Sequence, residues 1–196
     1  MENYTPILDS PVKIKTNLSL SYLDAIKQQA EETREWHLLY GGDSLEDKHL
    51  KLEVLSLQFN NPYLTGLITP LFIEIFEKGG YNYYSPMFIY CGLSIKDKYR
   101  KDNIHTDHND INDDLKDVSI FKVLGIINPD WDPQWGGGFI WNNKTYSIGV
   151  NEFLIFDPKI PHAASDIFCD KKRLAIDFTV YAKTLKMAEN LKSIIK

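Results

Sequence analysis

From Gly80 onward the chain breaks into short apolar runs, and this pattern constrains the fold more than any other feature. The runs are Met87–Ile95, Ser119–Ile127, Gly138–Trp141, Phe153–Phe156 and Leu174–Tyr181, separated by clusters of Asp, Asn, Pro and Gly. They are rich in Ile, Val, Phe and Tyr, so they predict antiparallel strands in a sandwich or barrel-like roll. Gly136-Gly137-Gly138 and Asn142-Asn143-Lys144 read as turns around a hairpin.

The first third reads differently. Val12 and Ile14 alternate with polar residues and suggest a short strand, and Leu18, Tyr22, Ile26 and Ala30 recur at helical spacing behind the candidate caps Asn17 and Ser19. Residues 45–59 fit either a helix or a strand. Tyr63, Leu64, Leu67, Ile68, Leu71, Phe72, Ile75 and Phe76 make the clearest helical stripe, opened by Asn61-Pro62 and closed by Gly79-Gly80. Pro70 is expected to kink this helix or split it. Thr184–Ile195 predicts a closing helix. The expectation is one domain over 1–196: 1–80 mainly helical support, 81–182 the β core, and 183–196 a C-terminal helix.

Composition narrows the class. The 196 residues are 43% hydrophobic and 25% charged, which rules out disorder as a description of the whole chain. A net charge of −5 argues against nucleic acid as a partner. Cys91 and Cys169 form no disulfide framework and read as buried reduced thiols. MENYTPILDS carries no signal pattern, and the apolar stretch Leu67–Phe76 is too short and too interrupted to cross a bilayer. A soluble, cytoplasmic setting is expected, with no membrane partner.

Chemistry concentrates in the β region. His37 and His49 lie among charged residues of the helical third and read as surface or cap histidines. His105-Thr106-Asp107-His108 opens the β core, and His162 follows Asp157-Pro158-Lys159-Ile160-Pro161. Residues two apart in an extended chain point to one side, so His105 and Asp107 share a face. His108 would face the other way and ranks below Asp107. Two imidazoles and one carboxylate with open positions suit a non-heme iron(II) centre, the third ligand coming from a distant strand.

Arg173 begins a strand whose alternation is informative. Leu174, Ile176, Phe178 and Val180 make one apolar face; Arg173, Ala175, Asp177 and Thr179 make a small, polar one. Such a strand lines a pocket or forms a sheet edge in water. In a pocket, the arginine fork suits a carboxylate.

The order of these pieces resembles the 2-oxoglutarate- and Fe(II)-dependent oxygenases, in particular their prolyl-hydroxylase-like branch. The resemblance rests on His105-x-Asp107, the stretch Gly125-Ile126-Ile127-Asn128-Pro129-Asp130-Trp131-Asp132 with Trp135-Gly136-Gly137-Gly138, the strand Glu152–Phe156, Pro158-x-x-Pro161-His162 and Arg173. It covers roughly residues 85–181 and implies a mostly β fold: a double-stranded β-helix, jelly-roll or cupin-like, with N-terminal helices packed on one sheet. It implies His105, Asp107 and His162 as iron ligands and Arg173 as the partner of the distal carboxylate of 2-oxoglutarate. A tyrosine usually assists that carboxylate. The position before Asn128 that can carry it is Ile126 here, which leaves Tyr90 and Tyr99 as candidates. Lys122 shares strand parity with Leu124 and Ile126; it either assists Arg173 or lines the core with its head at the rim. The basic run Lys96–Lys101 reads as a solvated loop.

The implied reaction couples conversion of 2-oxoglutarate and dioxygen into succinate and carbon dioxide to hydroxylation of a C–H bond, with ascorbate a candidate reductant. The substrate is a small molecule or a peptide: peptidyl proline, an amino acid or a polar metabolite. The acidic stretch from Asp107 to Asp117 suggests a flap that favours a polar or basic one. Trp131 and Trp135 are either hairpin core or a substrate wall. Two other classes remain: a cupin-like metalloenzyme that does not use 2-oxoglutarate, and a noncatalytic jelly-roll binding module.

Overall fold

A computed structural model describes residues 8–40, 48–55, 60–80, 84–107 and 118–184. The acidic stretch after Asp107, with His108, and the expected closing helix from residue 185 onward lie outside the described residues. The elements run β1 (Val12–Lys15), α1 (Leu20–Glu32), β2 (His37–Tyr40), β3 (Lys48–Leu55), α2 (Pro62–Lys78), β4 (Tyr84–Lys96), β5 (Ser119–Ile126), β6 (Phe139–Trp141), β7 (Lys144–Tyr146), β8 (Glu152–Phe156), β9 (His162–Ala164) and β10 (Arg173–Thr184). Seven strands form an antiparallel sheet ordered β1-β8-β5-β10-β4-β3-β2, and three form a small sheet ordered β7-β6-β9.

Period-two alternation sorts side chains into two cores. On β10, Leu174, Ile176, Phe178 and Val180 join Phe121 and Val123 of β5 and Phe153 and Ile155 of β8, packed with Leu64, Ile68, Leu71 and Ile75 of α2. The opposite parity supplies Leu124 and Ile126 of β5 and Leu154 and Phe156 of β8. These pack with Phe139 and Trp141 of the small sheet and with Trp131. The large sheet is therefore apolar on both faces at β5 and β8, helices covering one and the small sheet the other. Gly125 opposes Phe153 across β5 and β8. The phenyl ring occupies the place a Cβ at Gly125 would take. Trp131 is 2% exposed and donates from Nε1 to the Gly136 carbonyl, so it is hairpin core.

The helices follow their caps. Ser19 accepts from the Tyr22 N–H and opens α1, whereas Asn17 is no cap: its own N–H donates to Glu74 Oε1. Asn61 accepts from the Leu64 N–H and opens α2, with Pro62 in the first turn. Pro70 does not split α2, which is one 17-residue helix. Both Pro70 and Gly66, whose carbonyl it leaves without a helix donor, are exposed, while Ile68, Leu71 and Ile75 hold both halves to the same sheet. The apolar stripe begins at Leu64, because Tyr63 is exposed.

The first eighty residues also supply sheet. β1 adds to β8 at one edge, and β3 followed by β2 adds to β4 at the other. The stretch that fits either period is strand: Leu52 and Val54 face the helices and alternate with Lys51 and Glu53. His37 opens β2 and His49 lies in β3. β10 runs to Thr184, two residues past the expected end of the β core. Cys91 is buried and Cys169 half-buried, both as free thiols. Among the described residues no helix is long and apolar enough to cross a membrane.

Candidate metal centre and cavity

His162 is the first residue of β9 and sits opposite Trp141 of β6. On its other side the chain at His105 forms an antiparallel bridge to it, closed by the two N–H···O bonds His105 to His162 (3.0 Å) and His162 to His105 (2.8 Å). This pairing brings the two imidazoles to 4.6 Å between ring centres. The turn between β8 and β9 completes the arrangement. Asp157 accepts from the Lys159 N–H and shapes the turn. The Pro158 carbonyl then accepts from the Asp107 N–H at 2.9 Å, and the Ile160 carbonyl faces His162 Nδ1 at 2.8 Å.

Both histidines present the same tautomer. His105 Nδ1 lies 2.9 Å from the Asn103 carbonyl, as His162 Nδ1 does from Ile160. A carbonyl only accepts, so each Nδ1 carries a proton and each Nε2 is the ring nitrogen turned into the site. Both Nε2 atoms face Asp107: His162 Nε2 is 3.3 Å from Oδ2 and His105 Nε2 is 3.8 Å from Oδ1. The donor atoms of His105, Asp107 and His162 lie within 4.8 Å of one another. Burial opposes ionisation of Asp107, but the His162 hydrogen bond and the Lys122 ammonium outweigh it and hold the carboxyl well below its usual range. Two imidazoles and one ionised carboxylate fit a divalent cation with open positions.

The triad stands at one side of a cavity of about 560 Å³ between the two sheets. Its floor is the polar face of β10. Arg173 is 3% exposed, and its Nη1 donates to the Gly137 carbonyl at 2.5 Å. Gly137 has φ +68°, and a Cβ there would crowd both Trp131 and Arg173, so the glycine is what lets this carbonyl reach the guanidinium. Asn128 anchors the start of β10 by accepting from the Leu174 N–H at 2.6 Å and donating to the Lys172 carbonyl at 3.1 Å. Burial pulls the Arg173 guanidinium down to about 10, with Asp102 opposing the shift and Arg100 adding to it.

Lys122 faces the cavity, and its ammonium pairs with Asp107. Tyr90 lies on β4 opposite Thr179, half-buried; burial raises its phenol, with Lys51 pulling the other way. Burial lowers the Lys51 ammonium, but Asp177 and Tyr90 outweigh it and raise the group overall. Tyr99 is exposed at 80%, with the Lys98 ammonium 5.1 Å from its ring centre.

The run Lys96–Lys101 is only partly the solvated loop its composition suggests. Lys96, the last residue of β4, is buried and pairs with Asp102, which also takes Arg100. Lys96 stands opposite Arg173 in the ladder and shares parity with Gly92 and Ser94. That small, polar face of β4 was the available signal for it; Arg100 and Asp102 carried none.

No family model matches the sequence, and no curated protein matches it either. Solved structures do. A prolyl hydroxylase from Trichoplax adhaerens, in complex with a hypoxia inducible factor oxygen degradation domain peptide fragment, is 16% identical with a TM-score of 0.57, covering 92% of this chain and 86% of that one. A viral collagen prolyl hydroxylase from Paramecium Bursaria Chlorella virus-1, as its 2-oxoglutarate complex, is 14% identical with a TM-score of 0.56, covering 88% and 95%. HygX from Streptomyces hygroscopicus, with nickel and 2-oxoglutarate bound, is 10% identical with a TM-score of 0.60, covering 89% and 83%. The chain shares their fold, the expected double-stranded β-helix.

Proposed function

We propose that this protein is a 2-oxoglutarate- and Fe(II)-dependent oxygenase that hydroxylates a C–H bond of a polar substrate. The observation that carries the reading is the convergence of His105, Asp107 and His162 on the cavity whose floor is headed by buried Arg173. Iron with 2-oxoglutarate and dioxygen would supply the oxidising chemistry, with succinate and carbon dioxide as co-products.

The chain's own residues have separable tasks. His105, Asp107 and His162 would hold the metal, and the Asn103 and Ile160 carbonyls keep both imidazoles in the ligating tautomer. Lys122 positions the Asp107 carboxylate and is spoken for by it. Arg173 would take the distal carboxylate of 2-oxoglutarate. Of the two tyrosines, Tyr90 stands on the cavity side of β4 beside Lys51 and Asp177, and Tyr99 has no role in the site. Phe139 and Phe156, packed on the His162 ring, keep that side of the cavity dry.

Of the two substrate classes, a peptide has support among the solved neighbours: the Trichoplax enzyme was captured with a peptide, and the viral enzyme is a collagen prolyl hydroxylase. A metalloenzyme working without 2-oxoglutarate would leave the buried Arg173 Nε without an acceptor. The test is aerobic turnover. Purified protein with Fe(II) should convert 2-oxoglutarate to succinate, slowly even without its substrate, and His162→Ala should abolish this. Succinate formation at the rate of free iron would contradict the reading.

A further inference from the structure

Charge is distributed unevenly over the cavity floor. Near the metal triad, cations and anions match: Lys122 meets Asp107, and Lys51 meets Asp177. Beyond these two pairs, Lys96, Arg100 and Arg173 surround one carboxylate, Asp102. Burial, with Arg173 and Arg100 adding, lowers the Lys96 ammonium against the pull of Asp102, as expected where cations outnumber anions.

The hydrogen-bond inventory repeats the imbalance. Nε and Nη1 of Arg100 and Nε of Arg173 are buried with no partner. Arg100, Asp102 and Arg173 all line the cavity. Ile126, opposite Ala175 on the neighbouring strand, is fully buried and has no hydroxyl to offer an anion. Buried guanidinium N–H groups without acceptors are costly, and a carboxylate satisfies them with charge-assisted bonds.

We propose that Arg100 is a second anchor for the distal carboxylate of the 2-oxo dicarboxylate, which the chain grips between Arg100 and Arg173 while Asp102 holds Arg100 and Lys96 in place. This rests on the function proposed above and extends it to a residue outside the β-helix strands. Arg100 and Asp102 belong to the same short segment as His105 and Asp107, so one stretch of chain presents both the metal ligands and the anion clamp. The clamp selects 2-oxo acids that end in a second carboxylate.

The experiment is anaerobic calorimetry on the full chain loaded with Mn(II), titrated with 2-oxoglutarate and with 2-oxopentanoate, which lacks the distal carboxylate. Arg100→Met should weaken 2-oxoglutarate binding about tenfold or more. It should leave Mn(II) affinity and 2-oxopentanoate binding unchanged, which also establishes that the variant is folded. Arg100→Lys, which keeps the charge and the pairing with Asp102, should fall between Arg100→Met and the parent. If the parent binds 2-oxoglutarate and Arg100→Met binds it within twofold, the second anchor is wrong while the oxygenase reading stands. If the Mn(II)-loaded parent binds no 2-oxoglutarate, both fall together.

Discussion

Asp102 takes Lys96 and Arg100 at once and lies within electrostatic reach of Arg173, in a place almost closed to water. Burial alone would raise its carboxyl, but Arg100 and Lys96 outweigh that and hold it below the ordinary value of 3.8. Asp102→Asn leaves three cations without their carboxylate. Removing one partner of a buried ion pair costs about 3–5 kcal/mol, so this variant should be less stable by that order at neutral pH. A carboxyl held low in the folded chain stabilises fully above its unfolded value and loses that contribution as pH falls through its folded one. The gap between the parent and Asp102→Asn, read from urea unfolding, should stay constant from about pH 8 to pH 5 and shrink below about pH 4. A gap independent of pH throughout would mean that Asp102 is not the ionised hub described here.

The pairing of β5 with β8 shows how an element is tuned to carry the site. Gly125 leaves room for the Phe153 ring on the helix side, while Leu124 and Phe156 of the same pair of strands line the cavity. Gly125→Ala puts a methyl group where the ring lies and should cost about 1–3 kcal/mol in thermal or urea unfolding. Phe153→Leu in the same chain should recover part of that loss, the coupling expected of residues in contact. Additive losses in the double variant would show that the two do not compete for space. β10 was legible in the sequence because its alternation is strict: four apolar residues on one parity, and Arg173 with Asp177 on the other. β3 was not, because its apolar residues fit either period until pairing with β4 decides. The two histidines and Asp107 were legible as residue types at a spacing. Their tautomers were not, because these depend on the Asn103 and Ile160 carbonyls. Arg100 and Asp102 lay hidden in a charged run, where burial follows from tertiary packing and not from composition.

At the scale of the whole molecule, two sheets enclose a cavity with His105, Asp107 and His162 at one side and Arg100 and Arg173 in its lining. The helices back the large sheet and leave its inner face free for chemistry. The triad supplies two imidazoles and one carboxylate. Lys96, Arg100 and Arg173 supply three cations around one carboxylate, Asp102, with guanidinium N–H groups left without an acceptor. A ligand with an oxo acid at one end and a carboxylate at the other spans that polarity. The most direct measurement is an anaerobic titration of the protein with Fe(II) in the presence of 2-oxoglutarate, followed in the visible region. The account predicts a charge-transfer band that saturates at one equivalent of iron, disappears in Asp107→Asn, and needs far more 2-oxoglutarate in Arg173→Met. Iron binding without such a band at saturating 2-oxoglutarate would contradict it.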